Sequence, residues 1–251
     1  MLSTLIVAAA VLAACGGSSA TVSTTSPTPS AAAPVTKFKN TLPSQTAAAP
    51  FDVLQIVLEF APGAATAQHV HPTPYLATVL EGEVTAKLAS GDKTAKAGET
   101  IVEPLNLAVQ AINSGTVKAS MLVTYPVAKG AAPTKPVAGA PAPVLPSKTL
   151  YKYTLESPNV SGTYDIVQLE LEFAPGAQTP RHRHGGPGIV TVLQGQLTFR
   201  TDAGETTYKV GDSFVENPGQ TAQALNRGTE KLVVVASYLL PTGAVLTTNV
   251  S

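Results

Sequence analysis

Leu58-Glu-Phe-Ala-Pro-Gly-Ala64 recurs unchanged as Leu171-Glu-Phe-Ala-Pro-Gly-Ala177, 113 residues further along the chain. The agreement extends outward from these seven residues. It holds without a gap from Thr36/Thr149 to Tyr125/Tyr238, with roughly two positions in five identical, which marks an internal repeat. The chain is therefore two copies of one unit. Around the second copy, Val167, Leu169, Leu171 and Phe173 alternate with Gln168, Glu170 and Glu172. A period of two sends one set of side chains into a core and the other into water. Phe60 and Phe173 are thus core residues, and Glu59 and Glu172 belong to a wetted face rather than to a catalytic pair. Ser90-Gly91-Asp92 and Ala203-Gly204-Glu205 read as matching hairpin tips, since glycines shared between β-rich runs mark shared turns. No segment has the 3.6-residue period of a long helix, so each copy reads as an all-β sandwich or barrel.

The 251 residues are 44% hydrophobic and 13% charged, with 16 Lys+Arg against 16 Asp+Glu. Charged content is about half the usual ~25%. That balance argues against a polycationic nucleic-acid-binding surface and against a highly charged disordered chain. No phosphate loop or nucleophile elbow appears. The organisation reads as a leader over 1–14, a low-complexity tether over 15–35, a first domain over 36–128, an Ala/Pro-rich linker over 129–148, a second domain over 149–243 and a tail over 244–251. The tether segment is rich in Ser, Thr, Ala and Pro and cannot bury enough apolar surface to offset the entropy of ordering it.

The chain has four histidines, and all fall in the repeat, as His69-Val-His71 and His182-Arg-His184. On a strand, residues i and i+2 face the same side, so each pair presents two imidazoles to one face. Neutral imidazole is the commonest side-chain metal ligand, although three or four protein ligands are usual. Arg181 and Arg183 flank His182 and should face away from it. The glycines at 185, 186 and 188 suggest a more open histidine loop in copy two than Pro72-Thr-Pro-Tyr75 in copy one.

Here the sequence resembles the cupin family. Gly63, His69, His71 and Gly82 fit the first motif of that family in copy one, and Gly176, His182, His184 and Gly195 fit it in copy two. Gly98, Pro104 and Asn113, with Gly211, Gly219 and Asn226, fit the second motif. The resemblance implies a bicupin: two tandem jelly-roll (double-stranded β-helix) barrels after a disordered tether, paired within one chain, with the His-x-His strands pointing inward. It also implies a divalent transition metal, Fe, Mn, Zn, Ni or Cu, on His69, His71, His182 and His184. The family's Glu position is Tyr75 and Gly188 here, and its later His position is Val109 and Ala222. Each copy keeps two ligands and loses two. Tyr75, Gln110 and Gln223 are candidate replacements, although on a regular strand the two glutamines face the other way. Glu103 and Glu216 are also shared, at the end of a preceding strand.

Leu12-Ala13-Ala14-Cys15 resembles the lipobox of bacterial lipoproteins, in which the leader is cut before the cysteine and the thiol is lipidated. The apolar run before Cys15 is too short to span a ~30 Å hydrocarbon core as a helix and has signal-peptide length. No Lys or Arg precedes Cys15, which departs from a basic leader. The implied location is the bacterial cell envelope, extracytoplasmic, with the membrane as partner through a lipid anchor and no nucleic acid. Three functions fit: an anchored bicupin binding a metal ion or a small polar ligand, a metal-dependent enzyme like the family's oxygenases and decarboxylases, and a structural cupin.

Overall fold

The computed structural model describes residues 32–46, 50–101 and 105–250. Among them there are strands and turns and no helix. The first repeat contributes β1 (Val35–Gln45), β2 (Phe51–Phe60), β3 (His69–Val70), β4 (Leu76–Glu81), β5 (Glu83–Leu88), β6 (Lys93–Lys96), β7 (Thr100–Ile101), β8 (Val109–Ile112), β9 (Ala119–Ala128) and β10 (Lys135–Pro136). The second contributes β11 (Lys148–Leu155), β12 (Tyr164–Phe173), β13 (His182–His184), β14 (Gly188–Gln194), β15 (Gln196–Thr201), β16 (Gly204–Lys209), β17 (Ser213–Glu216), β18 (Ala222–Leu225), β19 (Leu232–Pro241) and β20 (Thr247–Asn249).

Each barrel is two five-stranded antiparallel sheets. The first has the orders β11-β2-β9-β4-β7 and β10-β3-β8-β5-β6, and the second β1-β12-β19-β14-β17 and β16-β15-β18-β13-β20. The opening strand of each repeat is exchanged. β1 pairs with β12, Thr36 opposite Leu171 and Leu42 opposite Ile166, while β11 pairs with β2, Thr149 opposite Leu58 and Leu155 opposite Val53. Each exchanged strand satisfies the backbone groups along an otherwise open sheet edge. Phe60 and Phe173 are fully buried, each in the core of its own barrel. The hairpins lie at the expected tips, with Gly91 and Gly204 at positive φ, +110° and +128°.

A third core joins the barrels, from Phe51, Val53 and Leu76 of one and Tyr164, Ile166, Ile189 and Leu239 of the other. Threaded beside it are buried polar groups hydrogen-bonded to one another. Gln168 Nε2 donates to Leu76 O at 3.0 Å and to Thr124 Oγ1 at 2.8 Å, and its Oε1 accepts from Thr78 at 2.6 Å. Thr124 and Ser237 share a 2.7 Å hydrogen bond, and Gln55 Nε2 donates to Thr191 Oγ1 at 2.7 Å.

Three expectations change. The stretch read as the tether's end enters the fold: Ala32 O accepts from Gln178 N, and Val35 begins β1, which completes the second barrel's sheet. The stretch read as a linker contains β10, paired with β3, and Leu145 O accepts from Ala65 N. The stretch read as a tail contains β20, paired with β13 in the equivalent register. The unit of repeat is therefore longer than its conserved-looking middle. A two- or three-residue edge strand buries little, so its Ala/Pro/Thr composition carries no period-two signal.

Candidate metal centre

β13 carries both imidazoles of the second barrel inward, with His182 and His184 buried and Arg183 between them exposed. Arg183 Nε donates to Thr221 Oγ1 at 2.8 Å and Arg181 pairs with Asp202 at 2.6 Å, both as alternation requires. His182 Nδ1 lies 2.8 Å from Pro180 O, and His184 Nδ1 lies 2.8 Å from Leu246 O. A carbonyl oxygen only accepts, so both rings carry a proton on Nδ1. Their Nε2 atoms face one another at 3.1 Å.

A third ligand atom converges on the same point. Glu216, the last residue of β17, is buried and places Oε2 3.2 Å from His184 Nε2. Among the described residues, His182, His184 and Glu216 form a group whose ligand atoms all lie within 4.8 Å of one another. Tyr238 of β19 completes the wall: its hydroxyl donates to Glu216 Oε2 and lies 3.1 Å from His184 Nε2.

The electrostatics follow from burial and from this one carboxylate. Burial lowers the pKa of His182. For His184, burial would do the same, but its hydrogen bond to Glu216 and the carboxylate's charge outweigh it and hold the imidazole above its ordinary value. Burial would raise Glu216, but the hydrogen bond and charge of His184 prevail and keep it below the ordinary carboxylate value. Burial, then Glu216, pushes Tyr238 well above 10, so its oxygen keeps the proton. Lone pairs of two imidazoles and a carboxylate thus meet in a buried site, an arrangement that favours a positive charge among them. A proton on His184 meets that need, and so does a divalent cation. Two His and one carboxylate on one side of an open cavity are the donor set of facial-triad metal sites, so the residues fit such an ion.

The first barrel differs at one decisive place. His69 and His71 face each other in the same way, Nε2 to Nε2 at 2.9 Å. Tyr75, however, lays its ring over His71 with centroids 3.9 Å apart, and Tyr125 stacks on both. The equivalent of Tyr75 is Gly188. A Cβ there would stand 2.2 Å from Tyr238 Cε1, so the missing side chain is what admits the Tyr238 ring. Nor do the copy-two glycines make an open loop: a Cβ at Gly186 would meet Leu239 O at 1.9 Å and one at Gly185 would meet Val245 O at 2.5 Å. They permit close packing of β19 and the C-terminal segment against the histidine loop.

The two glutamines do not join either site. Gln110 Nε2 donates to Thr66 O at 2.9 Å. Gln223 Nε2 donates to Thr179 O at 2.9 Å, and its Oε1 accepts from Arg200 at 3.0 Å. Regular alternation holds on both strands, without the bulge that would turn them inward. Of the residues weighed to complete a site, it is Glu216, the shared carboxylate at a strand end, that meets the histidines: it is two residues from Phe214, and period two places both inside. Glu103, its counterpart, and Cys15 lie outside the described residues.

A cavity of ≈ 280 Å³ opens onto His182, His184, Glu216 and Tyr238. A second, ≈ 230 Å³, reaches His69 and Tyr125 in the first barrel. The family model described as Cupin domain matches residues 56–125 and 169–238, one match in each repeat. The chain is 30% identical over 78 residues to the beta-alanine degradation protein BauB of Pseudomonas aeruginosa, covering 30% of this chain and 82% of that protein. Among solved structures, vicilin from Solanum melongena superposes with TM-score 0.60 at 11% identity, over 80% of this chain and 76% of that one. An oxalate decarboxylase variant from Bacillus subtilis gives 0.59 at 13%, over 86% and 80%. The Lactobacillus farciminis oxalate decarboxylase formate complex gives 0.56 at 15%, over 80% of each. At these identities the likeness is one of fold.

Proposed function

Because the chain belongs to the cupin family, with a cupin domain in each repeat, we propose that its second barrel holds a divalent transition-metal ion on His182, His184 and Glu216 and presents it to a small ligand entering the barrel. The observation that carries this reading is the pair of Nε2 atoms, 3.1 Å apart, with both Nδ1 protons committed to Pro180 O and Leu246 O. Carbonyl partners on the far nitrogens are how metal-ligating imidazoles are commonly oriented. A bound ion supplies Lewis acidity toward a ligand oxygen. The chain's own residues do the rest. Glu216 contributes the negative charge, Tyr238 holds a proton against that carboxylate, and the barrel wall gives the site an apolar surround.

The lipobox-like Leu12-Ala13-Ala14-Cys15 supports the further reading that the chain works at the bacterial envelope as a lipoprotein. A catalytic role in the manner of the oxalate decarboxylase neighbours is the second reading, favoured by a triad that occupies one side of a cavity and leaves the other side open.

Metal analysis tests the main reading. The full chain, incubated with Zn, Fe, Mn, Ni or Cu and desalted, should retain about one equivalent of at least one of them through a three-ligand site. Glu216→Gln should weaken retention by about a hundredfold while keeping the fold. Failure to retain any of the five ions, or retention indifferent to Glu216→Gln and His184→Ala, overturns it. The anchor has its own test: Cys15→Ala should lose acyl mass and membrane association, and unchanged fractionation refutes it.

A further inference from the structure

The second barrel's cavity is built with its polar atoms at two places and an apolar wall between them. Inside are the buried triad and Tyr238. At the rim are exposed groups on the two edge strands: Thr36 and Lys39 from β1, Thr247 and Asn249 from β20. Between them the lining is Leu169, Leu171, Val190, Leu197, Phe214 and Val234. The ≈ 280 Å³ of space is many times what a single ordered water needs. An apolar lining of this extent gains by being covered with apolar ligand surface.

Charge narrows the ligand's head. A divalent ion and one carboxylate leave a net single positive charge in a site of low dielectric. Lys39 is the remaining charged side chain among the described lining residues, and no arginine lines the cavity. A monoanion neutralises the centre. A small dianion would over-neutralise it without a buried cation to compensate, and would leave the apolar wall against water.

We infer that the second barrel takes an amphipathic monocarboxylate, its carboxylate directed to the centre of His182, His184 and Glu216 and its hydrocarbon body lying along Leu171, Leu197 and Phe214. This rests on the metal-centre reading and adds the ligand's class to it.

The test uses the full chain loaded with Co²⁺, whose visible absorption changes when a carboxylate approaches the ion, titrated with acetate, butyrate, hexanoate and oxalate. Each added methylene should tighten binding roughly threefold to fourfold, making hexanoate about a hundredfold tighter than acetate. Oxalate should bind more weakly than hexanoate. Leu171→Thr, at a half-buried strand position that suits a β-branched residue, should weaken hexanoate several-fold and leave acetate unchanged. Equal affinities along the series, oxalate as the tightest ligand, or hexanoate binding indifferent to Leu171→Thr overturns the inference. If Co²⁺ is not retained but one of the five ions above is, the same acids are titrated calorimetrically against that form; if none of the six is retained through His182, His184 and Glu216, the metal-centre reading fails and takes the inference with it. If Co²⁺ is retained and the series is flat, the inference alone fails.

Discussion

Gly188 is the residue at which the two halves part. Its absent side chain gives the Tyr238 ring the space that Tyr75 fills in the first barrel, where Tyr75 covers His71 instead. In the second barrel the ring lies 4.3 Å from His184, centroid to centroid, with its hydroxyl on Glu216. Gly188→Ala places a methyl group 2.2 Å from Tyr238 Cε1. We expect overpacking to cost about 1–3 kcal/mol and the displaced ring to loosen Glu216. Thermal unfolding and metal titration should both shift. A variant with wild-type values in both would remove Gly188 from the account. At this scale the His pairs were readable from the sequence because i and i+2 on a strand share a face. Glu216 was readable only as a shared carboxylate at a strand end, since only the fold brings that end to His184 on β13.

At the scale of the element, the short edge strands do more than their composition suggests. β20 covers β13 through Asn249, Thr248 and Thr247 opposite His182, Arg183 and His184. Just before it, Leu246 O fixes the tautomer of His184. Truncation after residue 244 should therefore weaken metal retention tenfold to about a hundredfold, as loss of a partner behind a ligating imidazole does. Far-UV circular dichroism should remain β-type, because β20 is only a three-residue strand at the edge of its sheet. Retention at the wild-type level would show that Leu246 O has no part in orienting the ring. β1 plays a matching role from the other end, since its Thr36 and Lys39, with Pro34 just before it, line the same cavity. β20 was read as part of a tail because so few of its residues pair, whereas β1 was read, all but Val35, as the start of the first domain and proves to complete the second barrel.

At the scale of the whole molecule, the exchanged strands and the polar thread make the two barrels one cooperative unit. Gln168→Ala would leave Thr78, Thr124 and Leu76 O without their shared partner and open a cavity. We expect a loss of about 2–4 kcal/mol, read as a lower urea midpoint of a single transition. Two separated transitions in the wild type would contradict the shared core. Asp52 supplies a pH-dependent clasp. Its carboxylate accepts from Gly130 N and Ser157 N, both at 3.0 Å, tying β2 to loops of both repeats. The Gly130 hydrogen bond, then that of Ser157, holds its pKa below the ordinary carboxylate value. A depressed folded-state pKa stabilises the fold above the unfolded value of ~3.9 and loses that contribution as pH falls through the folded value. Asp52→Asn should therefore melt below the wild type at pH 7, and the gap should close as pH falls from the unfolded value of ~3.9 through the lower folded value. A gap that persists in acid would assign the effect to shape rather than charge.

The sequence by itself determined that the chain is two all-β copies 113 residues apart, that they are cupin-like, and that each sends a pair of imidazoles inward. Repetition and period-two alternation are local signals, and a local signal suffices for them. Only the tertiary structure decided that the repeats trade their first strands, that the linker and tail each contain a short edge strand, and that Glu216 rather than Gln223 meets His182 and His184. Those outcomes depend on which distant strand ends become neighbours when a sheet curls into a barrel, and no spacing along the chain encodes that closure.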